Sequence, residues 1–122
     1  MGIRWIECRG EYTWEKQVLP SLTGRTIIYF VGDRALHGDS WCPDCVKSDR
    51  IMEKIKDTID QTKIPVNFVT ILVGKKEVWK DPNNHYRKVF NLKSIPTVML
   101  YDTDVRFEED EVTENNIIDL FF

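Results

Sequence analysis

The sequence predicts an α/β fold, a mixed five-stranded sheet flanked by four helices, and three observations carry that expectation. Two runs, Thr26 to Gly32 and Val66 to Val73, are rich in apolar, β-branched and aromatic residues, the pattern of strands buried on both faces of a parallel sheet. Between them, Pro43 to Gln61 repeats apolar residues at helical spacing. The chain then closes on two short strand patterns separated by a turn, so an alternation of strand and helix ends in an antiparallel hairpin.

Each element has a local reason. Ile3 to Cys8 reads as a short edge strand, and Thr13 as the N-cap of a short helix in which Trp14 and Val18 share a face and which Pro20 ends. A polar loop, Asp33 to Ser40, follows the first buried strand. In the long helix Ile51, Ile55 and Ile59, with Met52 beside them, form the apolar face, and Lys47, Asp49, Arg50, Glu53 and Lys54 the polar one. Asp81-Pro82 supplies an N-cap followed by proline at the first helical position, starting a helix through about Phe90. Thr97 to Tyr101 and Val105 to Phe107 pair across the turn Asp102-Thr103-Asp104, and Ile117, Ile118, Leu120 and Phe121 give a final amphipathic helix.

Composition bounds the classes of function. A chain of 122 residues with 42% hydrophobic side chains buries one core, and no repeat, low-complexity tract or linker divides it, so residues 1–122 read as one domain. With 17 Lys plus Arg against 20 Asp plus Glu, the net charge of -3 attracts neither phosphate backbones nor anionic lipid, so nucleic-acid and membrane partners are not expected. The longest purely apolar run, Ile27 to Val31, is far short of the ~20 residues that span a bilayer, and Met1 to Gly10 has no signal-peptide core. The expected compartment is the cytoplasm.

Three cysteines, two of them only three positions apart, do not make a secreted-type disulfide framework. Trp41-Cys42-Pro43-Asp44-Cys45 sits where a loop delivers the chain to the start of the long helix. Unpaired backbone N–H groups and the positive end of the helix dipole stabilise a thiolate at Cys42. Cys45, one turn in and more shielded, keeps its proton longer. Cys42 is therefore the expected nucleophile and Cys45 the resolving thiol. In the cycle this implies, Cys42 attacks a disulfide, a mixed disulfide forms, and Cys45 displaces the reduced substrate. Trp41 shelters the sulfur and offers a contact surface, and Pro43 at the first helical position loses no hydrogen bond. Asp44 shares the helix N-terminus with the thiolate. Two modulating roles are open for it: repulsion of the thiolate, or relay of a proton from Cys45. The competing reading is half of a structural zinc site, for which only Cys8, His37 and His85 could complete the ligands; no metal is expected.

These residues resemble thioredoxin and, within that superfamily, the thioredoxin domain-containing protein 17 family. The resemblance rests on Trp41-Cys42-Pro43-Asp44-Cys45, on Val78-Trp79-Lys80-Asp81-Pro82-Asn83-Asn84 with Tyr86-Arg87 following, and on Ile95-Pro96-Thr97 before a strand. It implies a thioredoxin fold and a protein-disulfide reductase with Cys42 as nucleophile and Cys45 as resolving thiol. It also implies a cis-proline at Pro96 that shapes, with the Ile95 backbone, the substrate groove. No bound cofactor is implied; electrons would come from NADPH through thioredoxin reductase. The partners implied are that reductase and disulfide-containing small molecules and proteins, with a preference for small or selected disulfides and a peroxidase side activity. The rival is a non-catalytic thioredoxin-fold interaction module. Two departures from thioredoxin itself bear on this. Tyr29 stands where thioredoxin carries a buried Asp, so a carboxylate able to deprotonate the resolving cysteine is missing from that place. The Asp33 to Ser40 loop is longer and should narrow access to Cys42. Of the remaining candidates, Cys8 reads as a small buried hydrophobe, His37 as a solvated loop residue with approach to the thiolate as the lesser alternative, and Glu108 to Glu111 as a solvated turn edge.

Overall fold

The computed structural model describes residues 2–10, 13–36, 38–59 and 62–122. Strands β1 (Arg4–Arg9), β2 (Thr26–Val31), β3 (Asn67–Leu72), β4 (Thr97–Leu100) and β5 (Arg106–Glu108) form one sheet in the order β1-β3-β2-β4-β5. β3 runs parallel to both β1 and β2, whereas β4 is antiparallel to β2 and to β5. This is the mixed sheet expected, with β1 at an edge and every residue of β2 buried.

Alternation along β2 sorts the two layers. Phe30 faces Tyr86 and Phe90 on one side, where Trp14 also packs against Phe90 and Tyr101. Tyr29 faces the other side, where the long helix α1 (Pro43–Ile59) and the terminal helix α4 (Glu114–Phe121) lie, and where Phe121 stacks on Phe68 with ring centroids 5.8 Å apart. The expected end of α1 at Gln61 lies outside the described residues.

Three local expectations need correction. Thr13 makes no side-chain cap and is itself helical, and the turn after it, Trp14–Val18, is a π-helix that passes into a 3₁₀ turn, Leu19–Ser21, containing Pro20. Trp14 and Val18 are nonetheless both buried. Asp81 does not start a helix. A short helix α2 (Lys76–Lys80), absent from the sequence reading, ends at Asp81, and α3 (His85–Phe90) begins after Asn84. The Asn84 side chain accepts from the backbone N–H groups of Tyr86 and Arg87, and its amide donates to the carbonyls of Val73 and Val78 at 3.0 and 3.1 Å. Asn84 thus caps α3 while tying it to β3 and α2, four contacts that Asp81 could not make from three residues upstream. Asp81 instead closes a local turn by accepting from the Asn83 N–H. Third, Asp49 is not on a solvated face of α1: its carboxylate turns toward the sheet, where it meets Tyr29.

Candidate active site

The chain leaves β2 at Gly32, loops through 33–40 and returns to enter α1 at Pro43. An isolated bridge between Arg34 and Ser40 closes the loop, the Trp41 N–H donates to the Asp33 carbonyl, and the Asp33 carboxylate accepts from the Gly74 N–H at 2.9 Å. The Trp41 ring packs against Gly32, where a Cβ would come within 2.8 Å of it, and its indole N–H donates to the Gly74 carbonyl at 2.9 Å. Only a glycine at 32 admits the ring there. Ser40 Oγ donates to the Gly32 carbonyl and accepts from the Cys42 N–H at 3.2 Å, fixing the residue before the helix.

Cys42 occupies the N-cap position of α1. Its Sγ accepts from the Cys45 N–H at 3.3 Å and its carbonyl from the Val46 N–H at 3.0 Å. The sulfur thereby does what a capping oxygen does, and a thiolate accepts such a bond better than a thiol. Cys42 retains 7% exposure and Cys45 none, and all three cysteines are free thiols. Burial pushes the Cys45 thiol well above its ordinary range; its hydrogen bond to Cys42 adds to this, and a backbone bond from Gly32 opposes it. Two sulfurs one turn apart, one capping a helix and one held protonated, can exchange with a third.

The other expected residues fall around this pair. Pro43 and Asp44 are exposed in the first turn, and Trp41 is half-buried. The Ile95–Pro96 peptide bond is cis, as expected. Phe30 pairs with Thr97, so Ile95 and Pro96 lie beyond it, alongside the end of β2 from which the chain runs to Cys42. His37 lies outside the described residues. Cys8 is buried beside the Tyr86 hydroxyl, its Sγ 3.8 Å away, and burial raises its thiol as well. His85 sits 3.1 Å from Glu15. Among the described residues no group of three or more His, Cys, Asp or Glu is placed to hold a metal ion.

A polar network to which sequence reasoning assigned no role in the site adjoins the pair. The buried Tyr29 hydroxyl meets Ser48 Oγ at 2.6 Å and donates to Asp49 Oδ1 at 2.7 Å, and Ser48 Oγ donates to the Cys45 carbonyl at 3.0 Å. Arg34 brings two nitrogens to the same carboxylate, at 3.0 and 2.8 Å, and a third to Glu7 of β1 at 3.0 Å. The loop beside the cysteines is therefore anchored to both α1 and β1. A tyrosine in an otherwise apolar strand, which must find a partner for its hydroxyl, was the available signal.

Sheet order, the cysteine pair at a helix start and the cis-proline strand together define a thioredoxin-fold protein. Residues 9–122 match the sequence profile of the thioredoxin domain-containing protein 17-like thioredoxin domain, and the chain belongs to that family. Thioredoxin domain-containing protein 17 of Homo sapiens is 35% identical over 100 residues, 81% of this chain and 79% of its own. Thioredoxin-like protein Clot of Arabidopsis thaliana is 28% identical over 80 residues, 64% of this chain and 58% of its own. Among solved structures, chloroplastic thioredoxin z superposes with a TM-score of 0.60 over 99% of this chain and 94% of its own at 19% identity, a likeness of fold alone. The thioredoxin-like family supports a thiol–disulfide oxidoreductase type of role in general.

Proposed function

We propose that the protein is a cytosolic protein-disulfide reductase that cycles Cys42 and Cys45 between dithiol and disulfide. The observation that carries this is the Cys45 N–H donating to Cys42 Sγ at the start of α1, above a resolving thiol with no exposure of its own. The Cys42 thiolate attacks one sulfur of a substrate disulfide and expels the other as a thiolate. Cys45, on losing its proton, attacks Cys42 Sγ, releases the second substrate thiolate and leaves the Cys42–Cys45 disulfide. Two electrons from NADPH, delivered by thioredoxin reductase, restore the dithiol. A peroxide entering the same site would oxidise Cys42 to a sulfenic acid, which Cys45 condenses to the disulfide with loss of water; this is the peroxidase side activity. Trp41, the anchored loop 33–40 and the backbone at Ile95 and Pro96 would border the groove and favour small or selected disulfides.

NADPH consumption with thioredoxin reductase, measured on cystine and on insulin, tests the reading. Turnover should be faster on cystine, should vanish in Cys42→Ser, and shortening the 33–40 loop should raise the insulin rate relative to cystine. A protein that consumes no NADPH with either disulfide is a binding module and not a reductase.

A further inference from the structure

Resolution requires the Cys45 thiol, which is wholly buried, to give up its proton inside the protein. Asp44 is poorly placed to receive it: it is exposed, and as the residue before Cys45 it points about 100° away around the helix. Asp49 is four residues on, on the same face of α1, where side chains at this spacing are neighbours. It also bridges the interior and the solvent. Its side chain is 19% exposed and lines, with Tyr29 and Arg34, a cavity of about 670 Å³ beside α1, the Trp5 edge of β1 and Phe68. Among the described residues, Tyr29 and Arg34 fix the carboxylate there by three hydrogen bonds, two of them on Oδ1 and one on Oδ2.

We propose that Asp49 is the base of the resolution step, receiving the proton that leaves Cys45 as Cys45 attacks the mixed disulfide on Cys42. The proposal rests on Cys45 being the resolving thiol. The Cys45 S–H bond breaks, the proton passes to the Asp49 carboxylate, the new Cys45–Cys42 bond forms, and the substrate sulfur departs with the electron pair of the old disulfide. A carboxylate is a weaker base than a thiolate, so the transfer runs uphill and is completed only as attack consumes the thiolate. Protonated Asp49 then returns its proton to the solvent of the cavity. Among the described residues, the charged and titratable groups around Asp49 are Tyr29 from β2, Arg34 from the loop with Glu7 of β1 behind it, Cys45 on its own helix, and Asp39 of the loop with Arg50, Glu53 and Lys56 of α1, which line the same cavity.

A role as a mere charge predicts the opposite effect. The Asp49 charge by itself helps to keep the proton on Cys45, so removing it without removing a base would ease deprotonation. Stopped-flow absorbance with 5,5′-dithiobis(2-nitrobenzoate) separates the steps, since Cys42 attack releases the first nitrothiobenzoate and Cys45 attack the second. In Asp49→Asn the first phase should keep its wild-type rate, which also shows that the site is folded. The second should slow by roughly 10²-fold and become dependent on hydroxide, rising about tenfold per pH unit. Asp49→Glu should restore most of the rate and the shallow pH profile. A second phase in Asp49→Asn as fast as wild type, or faster, overturns the proposal. A wild-type protein that releases no nitrothiobenzoate, or only one per chain, would instead refute the dithiol cycle itself.

Discussion

Cys42 and Cys45 are chemically the same residue, and their different parts in the proposed cycle come from three positions of helix. Cys42 caps α1 and keeps a small exposed face; Cys45 lies one turn in and is wholly buried. Iodoacetamide at neutral pH should therefore label Cys42 first and leave Cys45 and Cys8 nearly untouched, and peptide mapping that finds Cys45 labelled first would reverse the assignment. Burial has a second consequence at Cys45. It, and after it the bond to Cys42, make the folded chain hold this proton more tightly than the unfolded chain does. As pH rises past the ordinary thiol value of 9.0, the unfolded chain binds fewer protons than the folded one. The contribution to stability is complete below that pH and is lost as the pH climbs through and above it. Between about pH 8 and about pH 10 the denaturation midpoint of Cys45→Ala should accordingly fall less than that of wild type. Parallel falls would show that Cys45 carries no such linkage.

Among the elements, the segment from Lys76 to Phe90 shows what a cap does when it is also a tie. Asn84 satisfies two N–H groups of α3 and two carbonyls of neighbouring segments, and Arg87 lies over the Trp79 ring at 4.2 Å, so α2 and α3 pack as a pair. Losing the cap costs about 1 kcal/mol, and leaving the buried Val73 carbonyl unpaired adds about 1 to 3 kcal/mol. Asn84→Ala should lower stability by roughly 2 to 4 kcal/mol in urea, whereas Asp81→Ala, which removes one exposed turn contact, should stay within about 0.5 kcal/mol. Equal effects would contradict the assignment of the cap. The motif Lys80 to Asn84 displays Asp-Pro, a strong local signal for a helix start, and three residues later an asparagine that wins because tertiary neighbours satisfy all of its polar atoms. Propensity could rank the two caps only by their own sequence neighbourhood.

For the whole molecule, the terminal helix closes the layer that carries the cysteine helix. Phe121, 1% exposed, stacks on Phe68 with planes 5° apart and meets Trp5, so α4 covers the β1 and β3 edge of the sheet. Phe121→Ala should cost about 3 to 5 kcal/mol and lower Tm by roughly 10 °C or more, while Phe122→Ala, at an exposed end, should change it little. A small shift at Phe121 would mean that α4 is not needed to hold the sheet. The sequence by itself determined the five strands, the long helix, the closing hairpin and the cysteine pair at a helix start. Those features follow from period, turn chemistry and spacing, which act over a few residues. Only the tertiary structure decided that Asp49, on the polar side of the helix by periodicity, turns inward to meet Tyr29 and Arg34. The reason is physical: Tyr29 buries a hydroxyl that needs a partner, Arg34 supplies the countercharge, and these groups, 20 and 15 residues from Asp49 in the chain, become neighbours only when β2, the loop and α1 are packed together.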